Sequence, residues 1–189
     1  MKDKDFSPKG KDKTYWIILN EAIALEITKG HLKWTNAQLA RQAKVARSLI
    51  YYYFGKSKLN IILQACHLFG EFLAGTDQAH VQAWEEGDFN AGLKLSRRAI
   101  KKFPYLIPFY FLNRNTQNEI GELIRKYEEK GFQKRMKFIT GINKSQARAI
   151  FSLQLGISTS PGLKDSDVDE CFKFFKIPGS KQIASSDHF

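Results

Sequence analysis

The sequence predicts an all-α protein, and three observations support this fold class. Apolar residues recur with the 3.6-residue period of amphipathic helices along most of the chain. No segment shows the alternating, β-branched pattern of a β-hairpin. Residues 35–54 have the pattern of two short helices joined by a tight turn. We therefore expect an N-terminal three-helix, helix-turn-helix domain followed by a C-terminal helical bundle.

The composition is that of a folded and basic protein. Of the 189 residues, 43% are hydrophobic, which is enough for a core. The formal net charge is +11, and residues 1–63 carry 12 Lys and Arg against 5 Asp and Glu. This excess favours an anionic partner such as nucleic acid. Cys66 and Cys171 form neither a disulfide framework nor a metal motif.

Several classes of protein are not expected. No uncharged run reaches the roughly 18 residues of a membrane span, and no secretory signal is present, so we expect a cytoplasmic protein without a membrane partner. We expect no enzyme, because the sequence has no Gly-rich phosphate loop, nucleophile motif or clustered carboxylates. We also expect no cofactor and no metal, and His80 has no partner in the sequence pattern.

The first elements follow from charge, periodicity and capping. Residues 1–13 are charged and broken by Pro and Gly, which predicts a flexible basic arm. A first helix is expected from about residue 14 to Lys29. Thr35 and Gln38 have the spacing of a capping box that starts a second helix. A third helix follows the turn at Lys44. It is too short to be stable alone.

The remainder of the chain is also expected to be helical. Apolar residues keep the helical period from Lys58 to about Glu86, which predicts one long connecting helix. The later helices are predicted at 89–102, in the aromatic segment after Pro104, and at 117–140, 144–158 and 166–176. The tail, 178–189, is predicted to be disordered.

Residues 17–62 resemble the DNA-binding domain of the TetR family of bacterial transcriptional regulators. The matching residues are Lys29-Gly30-His31 at the end of the first helix, Thr35, Leu39 and Ala40 in the second, and Val45, Ile50, Tyr51, Tyr53 and Phe54 in the third. Three positions depart from the family pattern. Lys44 replaces the usual turn Gly, Ala46 replaces the usual Ser or Thr cap, and Ser57 replaces a Lys.

The resemblance implies a homodimeric, ligand-responsive repressor that binds a palindromic operator in double-stranded DNA. It divides the chain into a DNA-binding domain, 14–57, and an effector-binding and dimerisation domain, 58–177. An alternative is a DNA-bound interaction protein of the same architecture without a small-molecule effector.

The predicted DNA contacts divide into base and phosphate contacts. Arg47 can donate to guanine O6 and N7, Leu49 can contact a thymine methyl group, and Ser48 shares their outward face. The residues placed at the phosphates are Thr35, Asn36, Tyr51, Tyr52, Tyr53, Lys56 and Lys58. For Tyr53, the spacing suits burial as well as contact.

The predicted ligand site is an aromatic cluster for an apolar or aromatic effector. Its candidate residues are Trp84, Phe103, Phe109, Tyr110 and Phe111, with Arg114 at a polar end. Ordinary core packing of these aromatics remains open. The basic stripe at 94–102, which includes Arg97, is interpreted as a solvated helix face.

The helix at 144–158 is the predicted dimer interface, because it is apolar on most faces. Ala149, Ser152 and Gly156 form a small-residue stripe beside Leu153 that allows close approach of a second helix. A central core helix of a monomer is the alternative.

Overall fold

The computed structural model describes residues 13–138, 143–160 and 162–175. The helices are α1 (Lys13–Lys29), α2 (Asn36–Ala43), α3 (Arg47–Phe54), α4 (Lys58–Phe72), α5 (Gln78–Glu85), α6 (Phe89–Lys102), α7 (Leu106–Asn113), α8 (Glu119–Met136), α9 (Lys144–Thr159) and α10 (Asp165–Phe175). The described ranges contain no strand, so the predicted all-α fold class is confirmed. Apart from Lys13, which begins α1, the predicted arm lies outside the described residues, as does the predicted tail.

The chain divides into two compact units. The first extends to Leu68 and includes Tyr105–Leu123, and the second comprises Phe69–Pro104 and the residues from Ile124 onward. The helix α7 therefore belongs to the first unit, whereas the sequence placed its residues in the effector domain. The reason is that α7 packs against α1, and its Leu106 and Phe109 are fully buried.

In the first unit, α1 is the central helix. It contacts α2 along one side and α7 along another, and Ile18, Leu19 and Ala22 are fully buried. Helix α1 begins one residue before its predicted start and ends at the predicted Lys29. Because α1 is buried and contacts α2, it supports the helix-turn-helix.

A buried carboxylate fixes the loop between α1 and α2. Glu26 is only 6% exposed, and its Oε2 accepts hydrogen bonds from Trp34 Nε1 at 2.7 Å and Leu32 N at 3.1 Å. His31 Nδ1 lies 2.5 Å from Oε1 of the same side chain. Leu32 has a φ of +54°, a left-handed conformation that is unusual for this residue type. The carboxylate therefore holds a strained loop directly before α2.

The second unit is organised around α6. A cluster of Trp84, Phe89, Leu93, Ile157 and Val168 is buried between α6 and its neighbours α5, α9 and α10. Within this cluster, α6 supplies Phe89 and Leu93.

Arg97 requires a correction, because it is not part of a solvated face. Its side chain is 3% exposed and donates to the carbonyl oxygens of Ile157 at 2.8 Å and Ser160 at 3.3 Å, and also to Leu163. Its Nε lies 3.6 Å from an Asp165 carboxylate oxygen. The guanidinium therefore stabilises the C-terminus of α9 and its connection to α10.

The predicted long helix from Lys58 to Glu86 is wrong, because it is two helices. Helix α4 ends at Phe72, and Gly75 has a φ of +67°, which a continuous helix cannot contain. Asp77 then caps α5, accepting from the backbone N–H of Ala79 at 2.8 Å and His80 at 3.1 Å. The apolar period continues across this break, which is why periodicity alone did not reveal it.

Gly131 in α8 allows close packing against the break between α4 and α5. A Cβ at this position would lie 2.1 Å from Ala74 O. We expect Gly131→Ala to lower the free energy of unfolding by about 1–3 kcal/mol, because backbone or side chains must shift.

Gly156→Ala is the matched control in urea unfolding. A Cβ at Gly156 in α9 has no atom within 4 Å, so this substitution should raise stability by roughly 0.5–1 kcal/mol through helix propensity. Equal effects of the two substitutions would contradict the packing assigned to Gly131.

Candidate functional site

The predicted capping box of α2 is confirmed. Thr35 Oγ1 accepts from Gln38 N at 3.1 Å, and Gln38 Oε1 accepts from Thr35 N at 2.7 Å. After α2, Lys44 adopts the left-handed conformation with φ 55° and ψ 43°, and Val45 N donates to Ala40 O at 3.0 Å. Lys44 therefore has a positive φ, although Gly is usual at this position of the turn in the TetR family.

Helix α3 presents one face outward. Ile50 and Phe54 are buried at 0% and 3% exposure, which fixes the phase of the helix. The exposed or half-buried residues are Arg47, Ser48, Leu49, Tyr51, Tyr52 and Tyr53. Tyr52 is 81% exposed, although an aromatic side chain of this size is normally packed. Ala46 provides no side-chain cap, as its identity predicted.

The aromatic residues of α3 have different environments. Tyr53 packs edge-on against Tyr15 of α1, with ring centroids 5.8 Å apart, so it anchors α3. The Arg47 guanidinium lies 5.9 Å from the centroid of the Tyr51 ring. Tyr52 contacts Tyr53 edge-on at 5.2 Å and otherwise extends from the surface. Tyr53 is therefore partly buried, whereas Tyr52 remains accessible.

Two of the residues predicted to contact phosphate make hydrogen bonds to backbone carbonyl groups of the protein. Lys58 Nζ donates to Trp34 O at 3.0 Å and to Leu32 O, so its ammonium stabilises the loop held by Glu26. Asn36 Nδ2 donates to Lys56 O at 3.2 Å and connects the start of α2 to the turn after α3. Lys58 is half-buried and makes these hydrogen bonds within the protein, whereas the Lys56 side chain is exposed.

A small cavity lies within the second unit. Its volume is about 30 Å³. Its walls include Trp84, Phe89, Leu93, Phe151, Ser96 and Arg135. The sequence missed Arg135, which is 7% exposed and thus a buried cation. Helical spacing could have predicted that Arg135 is buried, because it lies on the same side of α8 as the buried Ile120, Ile124 and Gly131.

The six predicted ligand residues are divided between the two units. Trp84 alone among them lines the cavity, and Phe103 instead stacks on Phe72 with centroids 5.6 Å apart. The other four lie in the first unit. There Phe109 and Tyr110 are buried, Phe111 is 57% exposed, and the Arg114 guanidinium lies 5.9 Å from the Tyr110 ring centroid. The aromatic density of the sequence therefore reflects the packing of α7 as well as the cavity wall.

His80 has partners that the sequence pattern did not reveal. The side chain is 2% exposed, with Nδ1 against an Asp77 carboxylate oxygen and Nε2 3.0 Å from Ser96 Oγ. Burial acts to raise the pKa of Asp77, but hydrogen bonds and charge from His80 hold it below its usual value. Asp77 is therefore a stable acceptor at neutral pH.

The predicted dimer residues divide into two groups. Ala149, Ser152 and Gly156 are exposed on α9, and Gly156 has open space around it. Leu153 is half-buried against the cluster around Trp84, which makes it a core residue of the second unit. The small-residue stripe is thus uncovered by the part of the chain that the structure describes.

Structural comparison supports the fold. One similar structure is that of HlyIIR, a TetR-family regulator, solved as a mutant in which a linker replaces one segment. The match covers 84% of this chain and 94% of the HlyIIR chain, with a TM-score of 0.52 and 20% sequence identity. A second HlyIIR mutant, with an alanine-substituted segment, matches 85% of this chain and 94% of its own, with a TM-score of 0.43 and 19% identity. Protein-family models and curated proteins give no match. The expected resemblance to the TetR family is confirmed at the level of the fold.

Two further findings concern metals and membranes. In the ranges 13–138, 143–160 and 162–175, no group of three His, Cys, Asp or Glu side chains is placed to hold a metal ion. No helix within those ranges has the length and apolar character needed to cross a membrane.

Proposed function

We propose that this protein is a sequence-specific DNA-binding transcriptional regulator, acting as a ligand-responsive repressor on a palindromic operator. The observation that carries the proposal is the outer face of α3. This face, defined by Arg47, Ser48, Leu49, Tyr51 and Tyr52, is exposed or half-buried on a helix of eight residues that is seated on α1. A short helix held rigidly with such a face suits insertion into a major groove.

The chemistry of this face supports a division between base and phosphate contacts. Arg47 lies in the first turn, where its guanidinium can donate to guanine, and Leu49 beside it can contact a thymine methyl group. Tyr52 and Lys56 are exposed next to them and can donate to phosphate oxygens. The excess of Lys and Arg in residues 1–63 supplies the positive field that attracts the duplex.

Dimerisation is assigned to the stripe of Ala149, Ser152 and Gly156. These residues are exposed in the described chain and leave space for a second copy of α9. A two-fold dimer places two equivalent α3 helices on two equivalent half-sites.

Gly156→Leu is expected to shift the protein toward monomer, because a bulky side chain would occupy the space of the neighbouring helix. The position is exposed and a Cβ there has no atom within 4 Å, so in the isolated subunit the leucine side chain can extend into solvent. Multi-angle light scattering over a dilution series measures the effect, with Gly156→Ala as the control. If Gly156→Leu dimerises as tightly as the unsubstituted protein, α9 is not the interface.

Control by a ligand is assigned to the second unit. The cavity beside Arg135 and Trp84 is the candidate site. Helices α4 and α8 each contribute residues to both units, and we assign the coupling to them. Ligand and DNA must then weaken each other by the same factor, typically about 5- to 150-fold.

Binding to genomic DNA fragments tests the regulatory proposal. The purified full chain should enrich a small number of fragments, and its affinity for them should fall steeply as salt rises, because counterions are released from phosphates. An unselective recovery of fragments would contradict sequence-specific regulation. The alternative, an interaction protein without an effector, would be favoured by specific DNA binding that no small molecule alters.

A further inference from the structure

We infer that the cavity of the second unit binds a small carboxylate, whose charged group is held by Arg135 and whose apolar part contacts Trp84 and Phe151. The site itself follows from the geometry of the second unit. Its regulatory consequence rests on the proposed function, because a carboxylate bound there would be the effector.

Arg135 is a buried cation that lacks an anionic partner among the described residues. The residue is 7% exposed, and its Nη2 donates to Ala74 O at 2.9 Å. Its Nε makes no hydrogen bond with any described residue. An arginine buried in this way is normally paired with a carboxylate or phosphate, because an unpaired buried charge is strongly unfavourable. The unused donor is therefore available to an anionic ligand.

The electrostatics of the site agree with this geometry. Burial lowers the pKa of the Arg135 guanidinium to about 9, which leaves it protonated at neutral pH. No carboxylate of the described chain lies within 4.0 Å of it to offset this effect. A ligand carboxylate would supply the compensating charge.

Aromatic rings hold the guanidinium in place. Its central carbon lies 4.1 Å from the centroid of the Phe151 ring and 5.2 Å from that of Trp84. A second, smaller cavity of about 10 Å³ also borders Arg135 and Phe151. The cation therefore borders two cavities, of which the smaller has a mainly apolar wall and the larger combines aromatic residues with polar ones. This lining suits a ligand with one anionic end and an apolar body.

The other polar groups of the cavity favour a monoanion over a more highly charged ligand. The Ser96 hydroxyl oxygen lies 3.0 Å from His80 Nε2, so this hydroxyl is already engaged in a hydrogen bond within the protein. Among the described residues that line the cavity, Arg135 is the charged one, and one guanidinium neutralises one carboxylate but not a phosphate dianion.

The volume of the cavity limits how much of the ligand can be enclosed. A volume of about 30 Å³ exceeds the roughly 10–15 Å³ that one water requires, and it suits a carboxylate group. The remaining ligand atoms would lie against Trp84 and Phe151 and the neighbouring apolar residues Leu93 and Phe89.

Binding of matched acids and amides to the full chain tests the inference. The probes are sodium butyrate and sodium benzoate, with butyramide and benzamide as neutral equivalents at constant ionic strength. We expect the carboxylates to bind about tenfold or more tightly than the amides, measured by tryptophan fluorescence and thermal shift. Arg135→Met should abolish this preference, whereas Arg148→Met, which removes an exposed arginine of α9, should retain it.

Several outcomes would overturn the site. Equal affinities for acid and amide would do so, as would an undiminished preference in Arg135→Met. If Arg135→Met does not fold, Arg135→Lys decides the question, because a shorter, differently shaped cation should weaken carboxylates and leave amides unchanged. Unchanged carboxylate affinity in that variant would contradict the inference.

Failure of the site and failure of the proposed function are distinguishable. Carboxylate binding that leaves the affinity for DNA unaltered would support the site and contradict its role in regulation. Specific DNA binding without any preference for carboxylates would overturn the site and leave the DNA-reading proposal standing.

Discussion

Glu26→Ala is expected to lower the free energy of unfolding by about 3 kcal/mol or more. The substitution leaves the buried Trp34 indole N–H and the Leu32 backbone N–H without their acceptor, and each unsatisfied donor costs about 1–3 kcal/mol. It also removes the group that holds Leu32 in its left-handed conformation. Urea unfolding followed by circular dichroism measures the change.

Glu21→Ala is the matched control, because it removes a carboxylate from the same helix. Glu21 is half-buried and accepts from Gln42 Nε2 at 2.8 Å on an exposed surface. Its loss should change stability by about 0.5 kcal/mol or less. A similar effect of both substitutions would show that Glu26 does not organise the loop before α2.

Arg47→Ala is expected to weaken binding by about 1–3 kcal/mol at one base pair and to relax specificity there. Lys56→Ala should instead weaken all duplexes about equally and reduce the salt slope by about one, because it removes a phosphate contact. Fluorescence anisotropy with single-base variants of a bound duplex separates the two effects.

Arg98→Ala is the control for charge alone, since Arg98 is an exposed cation on α6 in the second unit. It should leave DNA affinity nearly unchanged. Uniform losses in both Arg47→Ala and Lys56→Ala would contradict the assignment of base reading to Arg47.

The local elements of the fold could be predicted from the sequence because their signals are local. The capping box at Thr35 and the buried phase of Ile50 and Phe54 follow from spacing alone. The break between α4 and α5 could not be found from periodicity, because the apolar repeat crosses Gly75 without interruption. Its position depends on tertiary contacts, including the hydrogen bond from Arg135 to Ala74.

The candidate sites show the same limit. The outward residues of α3 were identified by phase, but the tasks of Lys58 and Asn36 depend on carbonyl groups that lie many residues away in the chain. The cavity was missed because a cationic side chain on a charged helix is normally solvated. Arg135 differs from a solvated arginine in that it lies on the buried side of α8 and contacts the aromatic rings of Trp84 and Phe151.

Selection of bound duplexes from a randomised pool tests the central claim most directly. The full chain should enrich sequences with two inverted half-sites, whose centres lie about one helical turn apart, roughly 34–36 Å, or a multiple of it. Each selected duplex should carry two copies of the chain. Enriched sequences without a repeated half-site, or complexes with a single copy, would contradict the account of a dimeric DNA-reading regulator.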